Sequence, residues 1–290
     1  MQYRHSFHAG NFADVHKHVG LLALLRALQK KEKGFLYLDT HAGSGLYDLR
    51  SEDARRGGES AAGIAQVLQA AEQRAPQSPE VIEYLETVRR LRALAGASTY
   101  PGSPLIAASV LRSVDRACCI ETVPQESRHL SRVLSAFGSE GKGGVRVMAG
   151  DGYAQLAAQL PPKERRALIL VDPPFEDADE FPRLAAMLPE VLRRFDSGVV
   201  AIWYPIKRQR DTDNWHARIA RAITQPTLAA ELWLHPRDTT VGLNGSGLLI
   251  VNAPWQMDQR IAVWQEELRQ MLGGGDGSGS DVKWIVHERS

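Results

Sequence analysis

Cysteine is nearly absent from this 290-residue chain, and the two present are neighbours, Cys118 and Cys119. Adjacent residues on a strand point to opposite faces, so this pair cannot staple distant segments together. Buried free thiols and a cytoplasmic setting are the expectation. Long apolar runs are missing too, which argues against a membrane span. The opening MQYRHSFHAGN holds no apolar stretch of the kind a secretory signal needs. Nor is there an excess of either charge: 35 Lys and Arg against 34 Asp and Glu leave a net +1. A nucleic-acid partner would therefore have to be held by local patches and not by a globally basic surface. No internal repeat is visible, and the one low-complexity stretch, GGGDGSGS (273–280), reads as a flexible linker.

What is there is an alternation. FLYLDT (35–40), ACCIE (117–121), VRVMAG (145–150), ALILVD (167–172), VVAIWY (199–204), AAELWL (229–234) and GLLIVN (247–252) are short, apolar and rich in β-branched residues, and KWIV follows the linker as a last short strand. Helical spacing lies between most of them, as at Leu130, Val133, Leu134 and Phe137. The same spacing over Leu184–Leu192 is expected to be broken by Pro189. A first helix precedes every strand, with one apolar stripe of Val15, Val19, Leu22, Leu25 and Leu28. Strands alternating with helices give an α/β fold with a mostly parallel sheet. One spacing is abnormal. The glycine turn HAGSG (41–45) should enter a helix at once, yet polar sequence and two helical patterns intervene before YPGSPLIA (100–107). Residues 46–99 therefore read as a helical insertion within a main domain formed by 1–45 and 100–290. Ser103 reads as the N-cap of the helix that completes the first βα unit, with Pro104 at its first position.

Four strand ends carry polar residues at the carboxyl edge, where open α/β sheets bind ligands. They are DTHAGSG (39–45), Glu121, Asp151-Gly152 and Asp172. Taken singly each is weak; Asp151 in particular is equally well read as a helix cap. Their order at successive strands suggests a nucleotide site. GSG followed by a polar insertion is not the G-x-G-x-x-G opening of a dinucleotide dehydrogenase. S-adenosylmethionine, with adenine, ribose and an amino acid but no phosphate, fits better. The motif LILVDPPF (168–175) adds the chemistry. An exocyclic base amine is a poor nucleophile because its lone pair is delocalised. The Asp172 carboxylate and the Pro173 carbonyl offer two acceptors for its hydrogens, and Phe175 offers a ring face on which an extruded base can stack.

With YRHSFHAGN-ADV-KH (3–18), FLYLDTHAGSG, YPGSPLIA, Glu121, DG, LILVDPPF, WYP (203–205) and SG-LIVN-PW (246–255), the chain resembles the bacterial 23S ribosomal RNA adenine-N6 methyltransferase family, that of ribosomal RNA large subunit methyltransferase J. Phe12, His16 and Phe175, where tyrosine is commoner, are mild departures from its pattern. The resemblance implies a Rossmann-like class I methyltransferase using S-adenosylmethionine. It implies cofactor contacts from His18, His41, Ser103, Glu121, Asp151 and Gly152, with Lys17 close by and Asp172 both lining the site and catalytic. It also implies an RNA contact from Tyr3.

The histidines near the start do not suggest zinc. His16 and His18 lie two apart on a helix and face apart, and no cysteine is near, so no metal is expected. Candidate RNA-holding patches are Arg4, 163–166 (KERR) and, most favoured, 207–210 (KRQR) after WYP, with the loop 235–247 placed to close over a base. The expected partner is 23S ribosomal RNA, acted on by a monomer. The competing readings are a DNA adenine or cytosine amino-methyltransferase, and a non-catalytic RNA-binding assembly factor.

Overall fold

The computed structural model describes residues 7–137, 144–177, 179–236, 238–239 and 242–287, apart from the side chain of Asp53. Tyr3 and Arg4 lie outside the described residues. The main-domain helices are α1 (Phe12–Gln29), α5 (Ser103–Ala108), α6 (Pro124–Phe137), α7 (Gly152–Leu156), α8 (Glu180–Arg194), α9 (Gln209–Ala222) and α10 (Met257–Met271). Between residues 46 and 101 lie α2 (Glu52–Gly57), α3 (Gln66–Gln73) and α4 (Pro79–Ala95), flanked by a small antiparallel ladder of β2 (Leu46–Asp48) with β3 (Thr99–Pro101). The main strands are β1 (Leu36–Asp39), β4 (Arg116–Glu121), β5 (Val145–Ala149), β6 (Ala167–Val171), β7 (Val199–Ile206), β8 (Thr227–Trp233), β9 (Gly245–Val251) and β10 (Gly279–Val286).

These eight strands form one sheet in the order β10-β8-β9-β7-β6-β1-β4-β5. β5, β4, β1, β6 and β7 run parallel, while β9, β8 and β10 add on antiparallel. The chain winds outward from β1 in one direction through β4 and β5, then returns to pair β6 on the other side of β1. The β1–β6 junction is thus the topological switch point of a Rossmann-like sheet, where strand ends diverge and open a crevice. Asp39 ends one of those two strands and Asp172 follows the other.

One buried cluster covers each face of the sheet. Cys119 belongs to the face carrying α1, and Cys118 to the face carrying α8; both are free and buried. Val81, Leu85, Val88 and Leu91 of α4 share the cluster of α1, so segment 46–99 is packed into the same core as the helix that precedes the first strand. No helix among the described residues is long and apolar enough to cross a membrane.

Several local expectations need correction. α1 is buried on nearly every side, not along one stripe, because it packs on the sheet and is covered by α4 and α5. α8 runs through Pro189 without a break; the lost hydrogen bond is offset by burial of Leu184, Leu188, Val191 and Leu192. Ser103 is the first residue of α5, after an N-cap at Gly102, and caps nothing. Its hydroxyl is drawn instead to the buried Asp39 carboxylate at 2.7 Å. The glycine stretch 273–280 is a tight connection, not a free linker. Arg269 holds Ser278 Oγ (2.8 Å), Trp233 Nε1 donates to the Gly277 carbonyl (3.1 Å), and Gly279 and Ser280 already belong to β10.

Candidate active site

α1 begins beside the switch point. Asn11 caps it by accepting from Asp14 N (2.8 Å), and Asp14 accepts in turn from Gly10 N (2.9 Å). One residue of helix turns a side chain by about 100°, so three successive residues reach in three directions. His16 meets Ser246 and Gln265, Lys17 meets Asp172, and His18 meets Tyr100.

The Lys17 ammonium lies 2.5 Å from Asp172 Oδ2 and 2.7 Å from Asp14 Oδ1. The Lys17 and Asp172 side chains are buried, and that of Asp14 is partly open to water. Burial opposes the Lys17 charge, but the two carboxylates outweigh it and hold its pKa above the ordinary lysine value. Burial also works against Asp14, yet Lys17 pulls its carboxyl down to about 2. For Asp172 burial wins: its carboxyl is pushed above the usual aspartate value, with Lys17 restraining the rise. The triad holds two carboxylates and one ammonium, so the end of β6 stays electronegative where an amine would gain positive charge.

Beside Asp172 opens a pocket of about 160 Å³ whose walls include Lys17, Pro174, Phe175, Trp203 and Lys207. Phe175 takes a left-handed backbone, φ +50°, which a bulky residue rarely adopts. Its ring is wedged edge-on against Phe181 (5.0 Å) and Trp203 (5.7 Å). Lys17 sits over the Trp203 ring at 5.9 Å. Asp14 and Trp203 carry no signal of their own in the sequence. Asp14 shows only within ADV of the matched N-terminal motif, and Trp203 only within WYP. Their role exists only once α1 and β7 meet at β6.

The second half of the crevice lies over β1, β4 and β5. Glu121 is buried, and its two oxygens accept from Gly43 N and Val123 N, each at 2.8 Å. Burial raises its pKa while those N–H groups restrain it. Asp39 accepts from Tyr37 and Ser103 hydroxyls, both at 2.7 Å; burial, partly relieved by these bonds, pushes its pKa up to about 6. His18 gives Nδ1 to Tyr100 OH (2.7 Å), whose oxygen is 3.1 Å from Tyr84 OH. Its Nε2 is buried with no partner among the described residues, and burial together with Lys17 drives its pKa down to about 3, so the ring is neutral. His41 touches Thr40 Oγ1 (2.8 Å) and packs against the edge of Tyr153 (5.0 Å). Gly152 opens α7 so close to β1 that an added Cβ would fall 2.0 Å from the Thr40 carbonyl.

Asp151 is 51% exposed and caps α7 by accepting from Ala154 N (3.0 Å), with Arg183 on its other oxygen (3.2 Å). The capping role is therefore present. Of the basic patches, 163–166 precedes β6 and lies at the opposite edge of the sheet, where Arg166 is spent on the carbonyls of Leu28 and Lys33. Lys207 lines the pocket. So does Leu243, from the loop after β8.

The family model described as ribosomal RNA large subunit methyltransferase D, RlmJ, matches residues 32–286. Two curated proteins, both called ribosomal RNA large subunit methyltransferase J, are 36% identical to the chain. The one from Escherichia coli (strain K12) aligns over 288 residues and the one from Haemophilus influenzae over 291; each alignment covers 99% of this chain and 100% of the relative. A crystal structure from Legionella pneumophila superposes with a TM-score of 0.84 at 31% identity, covering 95% of this chain and 98% of that one. The family model spans most of the chain and both relatives align over nearly all of it, so the chain belongs to the ribosomal RNA large subunit methyltransferase J family.

Proposed function

We propose that the protein methylates the N6 amine of an adenine in 23S ribosomal RNA, with S-adenosylmethionine as methyl donor. The observation that carries this reading is the juxtaposition of the Asp172 carboxylate with an aromatic-walled pocket at the switch point. The groove over β1, β4 and β5 suits the cofactor. His18 Nε2 is a buried polar atom in need of a partner, Glu121 retains lone pairs beyond the two it uses, and Ser103 and His41 stand at the same edge. When bound, S-adenosylmethionine supplies an electrophilic methyl group. Asp151 reaches an adenine amine only in competition with Arg183.

The chain's own residues then do the following. Phe175 and Trp203 flank the base. Lys17 occupies Asp172 Oδ2, so Oδ1 is turned to the amine, while the Pro173 carbonyl, unclaimed by any N–H of the described residues, accepts its second hydrogen. As the amine gains positive charge, Asp172 stabilises it and receives the proton it sheds. Lys207 supplies positive charge to the RNA backbone at the pocket rim, and Tyr3 is assigned to the RNA beside the target base. Action as a monomer is part of the same proposal. The free, buried thiols suit a cytoplasmic setting. Segment 46–99 is read as a helical insertion in the methyltransferase domain formed by 1–45 and 100–290.

The test is nucleoside analysis of a 23S RNA fragment treated with the wild type, Asp172→Ala and Asp172→Asn. Positioned acid–base groups contribute about 10²–10⁴-fold, so Asp172→Ala should lose activity in that range. Asp172→Asn, which keeps an acceptor oxygen, should lose less. Methylcytidine as product, methylation of DNA in preference to RNA, or full activity in Asp172→Ala would each overturn the reading.

A further inference from the structure

Trp203 is held by a hydrogen-bonded chain that the proposed chemistry does not use. Its indole Nε1–H donates to Ser246 Oγ at 3.0 Å. Ser246 Oγ is 2.9 Å from His16 Nδ1, and His16 Nε2 is 3.1 Å from Gln265 Oε1. At its far end the Gln265 amide nitrogen donates to the Glu231 carbonyl (2.5 Å) and reaches that of Asp281 (3.3 Å).

The direction of every bond in this chain follows. Two carbonyls at one end of the Gln265 amide require its NH₂ there, so its oxygen faces His16 and can only accept. His16 Nε2 is therefore the N–H, and Nδ1 is the acceptor. Ser246 must then point its hydroxyl hydrogen at His16, which turns a lone pair toward the indole N–H. Burial lowers the His16 pKa to about 4, in keeping with a neutral ring and this single tautomer. The Trp264 ring, 5.6 Å away, closes one side.

The placement also follows from the sheet. Ser246 pairs with Pro205, so it lies diagonal to Trp203 on the same face of the antiparallel pair, and α1 covers that face. His16 is thus the helix residue that fixes the indole, one position before the lysine that fixes Asp172.

We propose that His16 is a positioning residue, which locks the Trp203 indole through Ser246 as the rigid wall of the pocket that receives the target base. This rests on the reading of that pocket as the base site. A wall held in one orientation makes its stacking contact without first being ordered, so its role is in taking up RNA and not in binding cofactor.

Two measurements test it, and the first needs no activity. With ¹⁵N-tryptophan labelling, the Trp203 indole signal is identified by its loss in Trp203→Phe, and its hydrogen exchange is timed. Ser246→Ala and His16→Gln should speed exchange about fivefold, the worth of one ordinary hydrogen bond. Gln extends to Gln265 but leaves Ser246 without an acceptor. His16→Asn, whose amide oxygen stands where Nδ1 stood, should restore slow exchange. Unchanged exchange in Ser246→Ala and His16→Gln, or an Asn variant as fast as the Gln variant, would overturn the proposal. The second is a cycle on RNA methylation. His16→Gln should raise KM for the RNA fragment about fivefold without altering cofactor affinity, and should add nothing further in a Trp203→Phe background. Additive effects would show that His16 acts elsewhere. If the wild type methylates no RNA, the functional reading fails while indole exchange still decides the positioning role.

Discussion

At the scale of single residues, the decisive feature is a lysine between two carboxylates. Lys17 pairs with Asp14 and Asp172 at once, with Lys17 and Asp172 withdrawn from water and Asp14 partly open to it. Removing one partner of a buried ion pair leaves an unpaired charge and costs about 3–5 kcal/mol. Lys17→Ala should therefore destabilise the fold by roughly that amount at neutral pH, measured by urea unfolding. It should also push the Asp172 carboxyl further upward, so the acid limb of the pH–rate profile should move to higher pH. An unmoved limb would mean that Lys17 does not govern Asp172. The sequence displayed Asp172 in DPPF, but not its partner. Asp14 and Lys17 lie on a helix more than 150 positions earlier, and no local pattern encodes that meeting. The same holds for Ser103, whose sequence context signalled a cap while its hydroxyl serves a carboxylate on β1.

At the scale of elements, the crevice depends on how tightly α7 and β1 approach. Gly152 stands against the Thr40 carbonyl with no room for a methyl group. The obstructing atom is backbone, so it cannot swing aside as a side chain can. Gly152→Ala should force the end of β1 to move, costing about 1–3 kcal/mol by overpacking. It should weaken S-adenosylmethionine binding while leaving the Lys17–Asp172 pair in place. Calorimetry with cofactor beside a urea titration checks both; unaltered affinity with reduced stability would confine Gly152 to packing. Elements were the most legible level of the sequence. Strand-forming runs mark the main strands to within two residues, save β10, which starts four residues before the KWIV run; burial on both faces demands such runs in the central strands. The short β2–β3 ladder escaped notice, since three-residue strands carry too little pattern to stand out from loops. Pro189 misled for a related reason: its cost is local, and the apolar face that outweighs it is apparent only when α8 meets the sheet.

At the scale of the whole molecule, the sequence conveyed alternation, hence an α/β fold, but not the reversal of β9 and β10, because an apolar run reads the same in either direction. The folded interior also sets how the molecule responds to acid. His16 and His18 are buried and neutral, with pKa values pressed by burial to about 4 and about 3, below the ordinary 6.5. The unfolded chain therefore takes up protons on both as pH falls below about 6.5. The stability they contribute is complete above that value and is lost as pH falls toward about 4. Asp39 works in the opposite sense. Its carboxyl, raised to about 6, is protonated in the folded state before the unfolded one, so its contribution is present at low pH and is lost as pH rises through about 6. Near pH 5 the unfolded state thus holds about two protons on this set and the folded state about one. The net slope is a stability loss on the order of 1.4 kcal/mol per pH unit. Asp39→Asn removes the opposing group and should steepen the loss; His16→Asn removes a titrating histidine and should flatten it. Urea midpoints at pH 7, 6, 5 and 4 for the three proteins decide the matter. Parallel curves for wild type and both variants would show that these buried groups do not set the acid response.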